Sequence, residues 1–546
     1  MNGVRAFLEW SRQNCTRRAF LLAGAGSVAA LAGLGFFARK PARRFTGKIL
    51  GASAVVGHLL RDGKIPASTE NVRTGIVIVG GGIAGLAAAR QLARTGFDDF
   101  LLLELEEQLG GNSCSGRNAV SAYPWGAHYV PLQNPETKEV IELFEDLGVI
   151  TGYDGEGVPI YNEFHLCADP EERLFLHGQW QEDLVPQIGV SERDREQYRR
   201  FFAAMDEFRS AVGSDRRPAF AIPIDESSRD EEFRKLDQIS MAHWMAGNGF
   251  DSAPLRWYVN YCCRDDYGAE MNDTSAWAGI HYFASRRGKG TNAGEATVVT
   301  WPEGNGWIVD RLREWPGTRV RSSAVVFQIE QSNGGVTVDY YDVTRRHSVR
   351  VAAEAVVFAA PRFVASRVVR DLPPAAGFVY SPWMVANLTL DYLPGGEGAP
   401  PAWDNVLYGS DSLGYVVATH QDLHPFPQRT VITYYLPLSG KEPAIARHEA
   451  LARSWEDWAS LIVNDLERAH PGLGSQIAHL DVWLWGHGMI RPVPGFIWGE
   501  ERQRALNPHG RVVFAHSDMS GISIFEEAYT RGVQAAREIL RVVQRA

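Results

Sequence analysis

One glycine-rich stretch constrains the fold of this chain more than any other feature. The short apolar run Ile76–Val79 leads directly into Gly80-Gly81-Gly82-Ile83-Ala84-Gly85, which has the spacing G-x-G-x-x-G. Four apolar residues are too few for a helix and are typical of a buried parallel strand. An alanine-rich segment follows, and a second apolar run, Phe100–Leu103, precedes Glu104. This order predicts a strand, a tight turn, a helix and a second strand.

The predicted turn has the properties of a dinucleotide-binding site. Gly80 permits the tight turn, Gly82 lets a pyrophosphate approach bare backbone, and Gly85 lets the helix pack closely on the strand. The start of the helix, at about Ile83, offers free N–H groups and a positive dipole end to phosphates. Glu104 lies 19 residues after Gly85, close to the roughly 20 expected of an acid that binds a ribose hydroxyl. The simpler alternative is a glycine-rich turn without a ligand, but such a turn does not require the acid or the second strand.

Two further motifs identify the dinucleotide. Gly110-Gly111-Asn112 comes after the second strand, and Trp125-Gly126-Ala127-His128-Tyr129 follows shortly. In these motifs the chain resembles the flavin-containing amine oxidoreductase superfamily, which includes monoamine and polyamine oxidases, L-amino-acid oxidases and phytoene-desaturase-like enzymes. In that family a Gly-Gly turn and then a Gly-Ala or Gly-Gly segment beside the isoalloxazine follow the acid. The resemblance therefore implies FAD, and the lack of cysteine in residues 483–498 argues against a covalent link to it.

The resemblance returns in two later parts of the chain. Within residues 301–370 a glycine-rich turn and a helix precede an antiparallel pair around Asn333-Gly334-Gly335, which is a strong hairpin signal. Within residues 510–545 a buried strand leads to Asp518 and then to a helix. The expected fold class is therefore α/β. It comprises a Rossmann-like FAD-binding domain with a parallel sheet and a β-hairpin, plus an inserted α+β substrate domain.

The predicted domain order alternates between cofactor and substrate parts. It comprises a signal or anchor (1–48), a lead-in segment (49–72), FAD-binding parts (73–133, 291–370 and 506–546) and substrate parts (134–290 and 371–505). The resemblance places the following residues at the cofactor: Gly80, Gly82, Ile83, Ala84, Gly85, Glu104, Gly110, Gly111, Asn112, Gly126, Ala127, His128, Val326, Asp518, Phe525 and Glu526. In two places the chain departs from the family, with His516-Ser517 replacing a glycine-containing pair and Glu527 replacing a glycine.

Two side chains are candidates for catalysis. His128 is expected beside the isoalloxazine, where an imidazole could exchange a proton near neutral pH; a histidine that only hydrogen-bonds backbone is the alternative. Amine oxidases of the family usually carry a lysine, linked through water to flavin N5, on a strand of the form K-x-x-L-x-F. The matching spacing in residues 387–392 puts Asn387 at the lysine position. An uncharged residue there favours a desaturase or dehydrogenase over an oxygen-using oxidase.

The first 48 residues differ in charge from the rest of the chain. They carry nine Lys or Arg and one acid, whereas the remainder has a formal charge of −18. Arg17-Arg18 ahead of an apolar run over residues 19–38 resembles a twin-arginine signal, which implies the export machinery as a partner and a periplasmic or exported enzyme. If retained, the run is a possible membrane tether. The acidic body argues against nucleic acid as a partner and mildly favours cationic small molecules as substrates.

Three functional classes remain open. Cys114, Cys167, Cys262 and Cys263 form no disulfide framework, and the sequence has no C-x-x-C or H-E-x-x-H motif, so we expect no metal. The first class is FAD-dependent oxidation of an amine, of polyamine or amino-acid type, by hydride transfer to flavin N5. The second is a phytoene-desaturase-like dehydrogenase or isomerase that acts on an apolar substrate. The third is a non-catalytic protein that keeps a flavin for structure and serves as a binding partner.

Overall fold

Short strands and helices alternate along the chain in the order that a nucleotide-binding fold requires. The structure is a computed structural model that describes residues 45–63, 65–294, 296–422 and 429–544. In chain order the strands are β1 (Ile49–Gly51), β2 (Glu70–Arg73), β3 (Ile76–Val79), β4 (Phe100–Leu103), β5 (Ser115–Arg117), β6 (Ala122–Pro124), β7 (Tyr129–Pro131), β8 (Ile150–Tyr153), β9 (Pro159–Tyr161), β10 (Glu172–Leu176), β11 (Gln179–Glu182), β12 (Val298–Thr300), β13 (Val320–Arg321), β14 (Ala324–Ser332), β15 (Gly335–Asp342), β16 (His347–Ala353), β17 (Ala355–Phe358), β18 (Tyr380–Leu390), β19 (Asp404–Leu407), β20 (Tyr415–Val417), β21 (Thr430–Pro437), β22 (Ile477–Ile490) and β23 (Val512–Phe514).

Serine side chains cap several of the helices. The hydroxyls of Ser191, Ser240, Ser252, Ser275 and Ser454 each accept a hydrogen bond from the backbone N–H three residues further on, and such a cap stabilises a helix by about 1 kcal/mol. In chain order the helices are α1 (Ala54–Gly57), α2 (Leu59–Asp62), α3 (Ile83–Arg94), α4 (Lys138–Asp146), α5 (Glu192–Ser210), α6 (Glu231–Arg234), α7 (Met241–Gly247), α8 (Ala253–Tyr267), α9 (Ala276–Ala284), α10 (Gly306–Leu312), α11 (Arg362–Val368), α12 (Pro443–Ala452), α13 (Trp455–Leu466), α14 (Glu500–Ala505) and α15 (Phe525–Gln544).

Three distant segments of the chain form one parallel sheet. Its order is β13-β4-β3-β17-β23, and each neighbouring pair runs parallel. The inner strands β3 and β17 consist entirely of buried apolar residues, as strands covered on both faces must. Helix α15 packs against α3 at Gly532, where an added Cβ would lie 2.2 Å from the backbone oxygen of Ala84. In such sheets ligands bind outside the carboxyl ends of the strands.

A second sheet carries the predicted hairpin. Its order is β14-β15-β16-β2, and Ser332 at the end of β14 pairs with Gly335 at the start of β15. Val326 of this sheet packs in one core cluster with Val79 and Phe358 of the parallel sheet. The two sheets therefore share a core, and together they form the cofactor half of the molecule.

A third, larger sheet forms the other half. Its order is β1-β22-β18-β21-β20-β19-β10-β11. Apolar residues of helices α5 and α8, such as Phe201 and Val259, pack in one core cluster with Val385 of β18. Sheet and helices thus enclose a second core, which has the α+β character expected of the substrate part.

Glu527 connects the two halves. Its Oε1 accepts a hydrogen bond from the N–H of Ile224 at 2.5 Å, and its Oε2 accepts one from the hydroxyl of Ser520. Arg531 donates to the same hydroxyl at 2.8 Å and lies 2.8 Å from the carboxylate of Asp225. The side chain that replaces the family's glycine therefore points into the insertion, where it has partners.

The expected fold class is confirmed, since a parallel nucleotide-binding sheet is combined with a hairpin sheet and an α+β part. The lead-in forms β1, α1, α2 and β2. The predicted export signal lies outside the described residues except for residues 45–48. Within the described ranges no helix has both the length and the apolar character to cross a membrane, and no His, Cys, Asp and Glu side chains are grouped as a metal site.

Candidate active site

Close backbone contacts shape the turn between β3 and α3. Gly80 has a φ of +104°, and its N–H donates to the oxygen of Leu103 at 2.8 Å. The oxygen of Gly81 accepts a hydrogen bond from the N–H of Gly110 at 2.9 Å. A Cβ at Gly85 would lie 1.9 Å from the oxygen of Gly80, so only glycine fits there. These contacts hold the first glycine turn directly against the Gly-Gly turn that follows β4.

Glu104 lies at the carboxyl end of β4, on the edge of this crevice. Its oxygens accept hydrogen bonds from the N–H groups of Gly81 at 2.6 Å and Glu106 at 2.8 Å. Burial raises the pKa of Glu104 to about 7, against the lowering effect of these two hydrogen bonds. Two carboxylate oxygens have about four acceptor positions, so the side chain is fixed in place with capacity left for ribose hydroxyls.

Gly82 leaves room for a ligand, in contrast to Gly85. Its φ of −73° suits any residue, and an added Cβ would meet nothing nearer than the Cα of Gly111 at 3.8 Å. Behind it, Ile83 and Ala84 begin α3, whose first N–H groups have no acceptor within the helix. A pyrophosphate fits against this surface. The residues present therefore suit the adenosine diphosphate half of FAD.

A cavity extends from the crevice into the second half of the molecule and encloses roughly 980 Å³ of empty space, part of it open to solvent. The predicted cofactor residues that line it are Asn112, Gly126, Ala127, His128, Phe525 and Glu526. Asn112 and Gly126 are held together, since the oxygen of Asn112 accepts from the N–H of Ala127 at 2.8 Å and a Cβ at Gly126 would lie 2.3 Å from that oxygen. The structure thus brings the second predicted motif and the start of α15 to one space.

Two buried acceptor atoms on the cavity wall have no hydrogen-bond partner among the residues that the structure describes. They are Oε2 of Glu526 and Oδ1 of Asn305, in residues that are 2% and 1% exposed. A buried acceptor without a donor costs about 1–3 kcal/mol, so both atoms require donors from a bound molecule. An isoalloxazine has an N–H group at its pyrimidine end, and an amine substrate has several. Burial raises the pKa of Glu526 to about 7.

His128 lies in an aromatic wall of the cavity. Its ring stacks on Tyr435, with centroids 4.5 Å apart, and lies 5.5 Å from Trp403. Nδ1 is 3.3 Å from the oxygen of Gly126, which leaves Nε2 free to accept a hydrogen bond. Burial lowers the pKa of His128 to about 4. The ring is therefore neutral at pH 7, a form that can accept a proton or orient a ligand, and its proton exchange beside the isoalloxazine stays a prediction.

Asn387 does not reach the cavity. Its amide donates to the oxygen of Pro124 at 2.9 Å and accepts from the hydroxyl of Thr433 at 2.7 Å. The residues of the same strand that line the cavity are Val385 and Trp383. The side chains of Trp383, Val385 and Asn387 point to the same face of β18, but only the first two lie beside the cavity, so the role of Asn387 at the flavin stays a prediction.

Asp518 is completely buried and is bound within the protein. Its Oδ2 accepts from the N–H of Arg362 at 2.9 Å and from the hydroxyl of Tyr380 at 2.5 Å, and its Oδ1 lies 2.7 Å from Nδ1 of His516. Burial raises the pKa of Asp518, but His516 and Tyr380 outweigh burial and hold it below its usual value. Val326 packs in the core beside β3, while Oδ1 of Asp518 receives no hydrogen bond from the described residues.

Acidic side chains gather beside the cavity. Asp265 and Asp266 line it, and Arg286 lies 2.7 Å from Asp266. Burial and then the neighbouring Asp266 raise the pKa of Asp265. Burial raises the pKa of Glu172 to about 7 and that of Asp404 well above its usual range, and Glu172 adds to the effect on Asp404. Glu172 keeps solvent-exposed surface, and neither it nor Asp404 is among the residues that line the cavity.

Sequence reasoning missed these acids, Asn305 and the cavity-lining rings of β18, β21 and β22. A signal for the acids was present, because Asp265-Asp266 ends a helix that is otherwise rich in apolar and aromatic residues. Acidic residues are almost never fully buried unless they are paired, so two adjacent ones in a largely apolar helix indicate a functional site. For Asn305 and the rings no local signal existed, since their places depend on the pairing of strands far apart in the chain.

The crevice and the cavity together define an FAD-binding fold and site. The residue pattern of the family described as flavin containing amine oxidoreductase matches residues 83–540. The chain belongs to that family.

Individual relatives are distant. Amine oxidase [flavin-containing] B of Cavia porcellus is 24% identical over 328 residues, which are 56% of this chain and 52% of the relative. The chain spans about half the length of several of the curated relatives that it matches.

Two solved structures show the same fold. A putrescine oxidase bound to putrescine has a TM-score of 0.62 at 17% identity, covering 86% of this chain and 100% of the other. A fatty acid isomerase of P. acnes that produces CLA has a TM-score of 0.59 at 14% identity, covering 85% and 98%.

The two glycines of the turn are expected to respond differently to the same substitution. Gly82→Ala should leave the thermal unfolding midpoint of the FAD-free protein unchanged and weaken FAD binding about tenfold or more, because the methyl group meets only the ligand. Gly85→Ala should lower the midpoint even without FAD, because its methyl group meets the backbone. Differential scanning fluorimetry and FAD titration measure both quantities. Equal FAD affinity for Gly82→Ala and the wild type would place the pyrophosphate elsewhere.

Proposed function

We propose that the protein oxidises an amine that carries more than one positive charge, a diamine or polyamine. The observation that carries this proposal is the surplus of carboxyl groups at the cavity. Asp265 and Glu526 line the cavity, Asp266 beside them is paired with Arg286, and Glu172 and Asp404 lie outside the lining but within electrostatic range of Asp265. Burial and mutual repulsion raise the pKa values of these carboxyl groups, and a substrate with two ammonium groups would stabilise their ionised forms.

The same site is poorly suited to an amino acid. An amino acid would need a cation for its carboxylate, and the guanidinium of Arg286 is engaged with Asp266 at 2.7 Å. Its charge is also surrounded by further acids, since Glu172 and Asp265 interact with it. The polyamine alternative therefore has more support than the amino-acid alternative.

The aromatic rings of the cavity are placed to hold an amine beside the flavin. FAD, when bound, accepts a hydride from the carbon next to the substrate nitrogen. Tyr435 fixes the backbone beneath the cavity, because its hydroxyl donates to the oxygen of Gly126 at 2.9 Å. Trp485 fixes the neighbouring segment through its indole N–H, which donates to the oxygen of Trp125 at 2.7 Å. Ring faces attract ammonium groups by about 0.5–2 kcal/mol, so rigid rings orient the cation as well as exclude water.

A second candidate function is suggested by the apolar part of the cavity. Ile222, Trp383, Val385, Met489 and Ile524 line it. On β18 the residues beside the cavity are Trp383 and Val385, and the position of the family's lysine is occupied by the uncharged Asn387. A dehydrogenase or isomerase acting on an apolar substrate would use this surface, and the acids would then lie outside its binding site.

Anaerobic substrate screening separates these functions. The purified yellow protein is mixed without oxygen with diamines, monoamines, amino acids and polyenes, and bleaching of the flavin absorbance is followed. We expect bleaching by diamines or polyamines. Bleaching by polyenes alone would support the second function, and bleaching by dithionite but by none of these donors would contradict both.

The variant Asp265→Asn tests whether the acidic side chains at the cavity bind the substrate. The variant should weaken binding of the bleaching diamine about tenfold, because one charge is lost without a change of shape. Asp273→Asn is the control, since Asp273 follows the same helix but is exposed and does not line the cavity. Equal effects of both variants would show that the overall charge of the protein surface, and not the charge in the cavity, determines how tightly the diamine binds.

Binding of a cation is expected to weaken as the pH falls through about 7. Glu172 and Glu526 have pKa values raised to about 7, so both are ionised above this pH and neutral below it. A bis-quaternary diamine is a suitable probe because its own charge does not titrate. Its dissociation constant should rise roughly tenfold between pH 8.5 and 5.5. A constant value over this range would remove the two carboxyl groups from the cation site.

We also propose that the protein is exported in folded form by the twin-arginine route. The support is the Arg17-Arg18 pair and the apolar run after it. Replacing both arginines by lysine keeps the charge but removes the recognition pattern. The variant should accumulate in the cytoplasmic fraction of a bacterial host that exports the wild type, and equal distribution of the two proteins would contradict the proposal.

A further inference from the structure

We propose that residues 49–62, which comprise β1, α1 and α2, form a strap that closes over the adenosine half of bound FAD. The family pattern matches residues 83–540, so the strap lies outside it. The strap would act on FAD in its crevice whatever the substrate of the protein is. Three attachments of the strap to the rest of the protein support this proposal. Each attachment lies beside a different wall of the crevice.

The first attachment is a strand pairing with the larger sheet. Strand β1 runs parallel to β22, with Ile49 opposite Val482 and Gly51 opposite Leu484. Further along β22, the oxygen of Gly488 accepts a hydrogen bond from the side-chain amide of Asn112. The strap therefore starts on the strand that also contacts the second glycine turn of the crevice.

The second attachment is a double hydrogen bond to the acid beside Glu104. The N–H of Ser53 donates to Oε1 of Glu106 and its hydroxyl donates to Oε2, both at 2.7 Å. The N–H of Glu106 in turn donates to Glu104 at 2.8 Å. Ser53 is thus connected through one residue to the carboxylate expected to bind the ribose, which makes it a positioning residue for that carboxylate.

The third attachment is apolar. Leu60 of α2 packs against the core cluster that contains Val79, Leu103 and Val326. These residues end the first two strands of the parallel sheet or lie in the sheet expected to face the adenine. Between the second and third attachments, a Cβ at Gly57 would be 3.9 Å from Leu105, so the backbone of the strap passes close to the loop that carries Glu104.

Between these attachments the strap is loosely packed. Neither α1 nor α2 contains a buried residue, and Val55 is 85% exposed. Segments with few buried apolar contacts open at little free energy. A dinucleotide that is gripped along its length can enter only if part of the crevice wall opens. The part of the strap after β1 meets this requirement, since β1 can stay paired with β22 while opening breaks the two hydrogen bonds of Ser53 and withdraws Leu60 from its contact with one core.

The release of FAD measures whether the strap covers the cofactor. The holoenzyme is diluted, and the rise of free-flavin fluorescence gives the dissociation rate. Ser53→Ala removes one of the two hydrogen bonds and should release FAD about tenfold faster, whereas Ser53→Thr keeps the hydroxyl and should release it at close to the wild-type rate. Ser68→Ala is the matched control, because Ser68 also donates to a carboxylate, that of Asp339 at 2.9 Å, but lies outside the strap.

Hydrogen exchange of the wild-type protein gives a second test that needs no variant. Backbone amides of residues 53–62 should exchange more slowly with FAD bound than without it, while those around Ser68 should not change. Unaltered exchange in the strap, or equal FAD release from Ser53→Ala, Ser68→Ala and the wild type, would overturn the proposal. Equal acceleration by both alanine variants would also overturn it, since it would indicate general destabilisation.

Discussion

The parallel pairing of β3 with β4 on one side and with β17 on the other is the interaction on which the rest of this structure depends. Ile76 lies opposite both Phe100 and Ala355 in this arrangement. The pairing brings the carboxyl ends of strands from distant parts of the chain to one edge, where the two glycine turns touch. Without that edge there would be no crevice for FAD, and the cavity beyond it would have no reactive centre.

Local patterns in the sequence were sufficient for the crevice. Short apolar runs, glycine spacing and the position of Glu104 express constraints that act within about thirty residues, and the observed β3, α3 and β4 begin and end where these constraints require. The hairpin at residues 332–335 could be predicted equally well, because a two-residue turn fixes the register of the strands that it joins. The family resemblance then supplied the cofactor.

The substrate cavity could not be predicted in the same way. Its walls come from β18, β21, β22 and α8, whose mutual positions follow from long-range pairing and packing. Asn387 illustrates the limit, because its hydrogen bonds to Pro124 and Thr433, and the presence of Val385 on the cavity wall, follow from strand pairing and not from local spacing. The pKa of His128 shows another limit, since burial by Tyr435 and Trp403 lowers it and neither ring is near in sequence. The sequence contains the acidic residues, but it does not show that they lie close together in space.

The hydrogen bonds of Glu527 limit how freely the cofactor half and the substrate half can be exchanged between proteins. Its buried carboxylate is satisfied by an N–H from residue 224 in the insertion and by a hydroxyl from residue 520. Grafting a different substrate half onto this cofactor half would leave that charge without one of its donors, at about 3–5 kcal/mol. The two halves are therefore expected to be inherited and exchanged as one unit. A chimaera should fold only when the segment around residue 224 and the last helix come from the same parent protein.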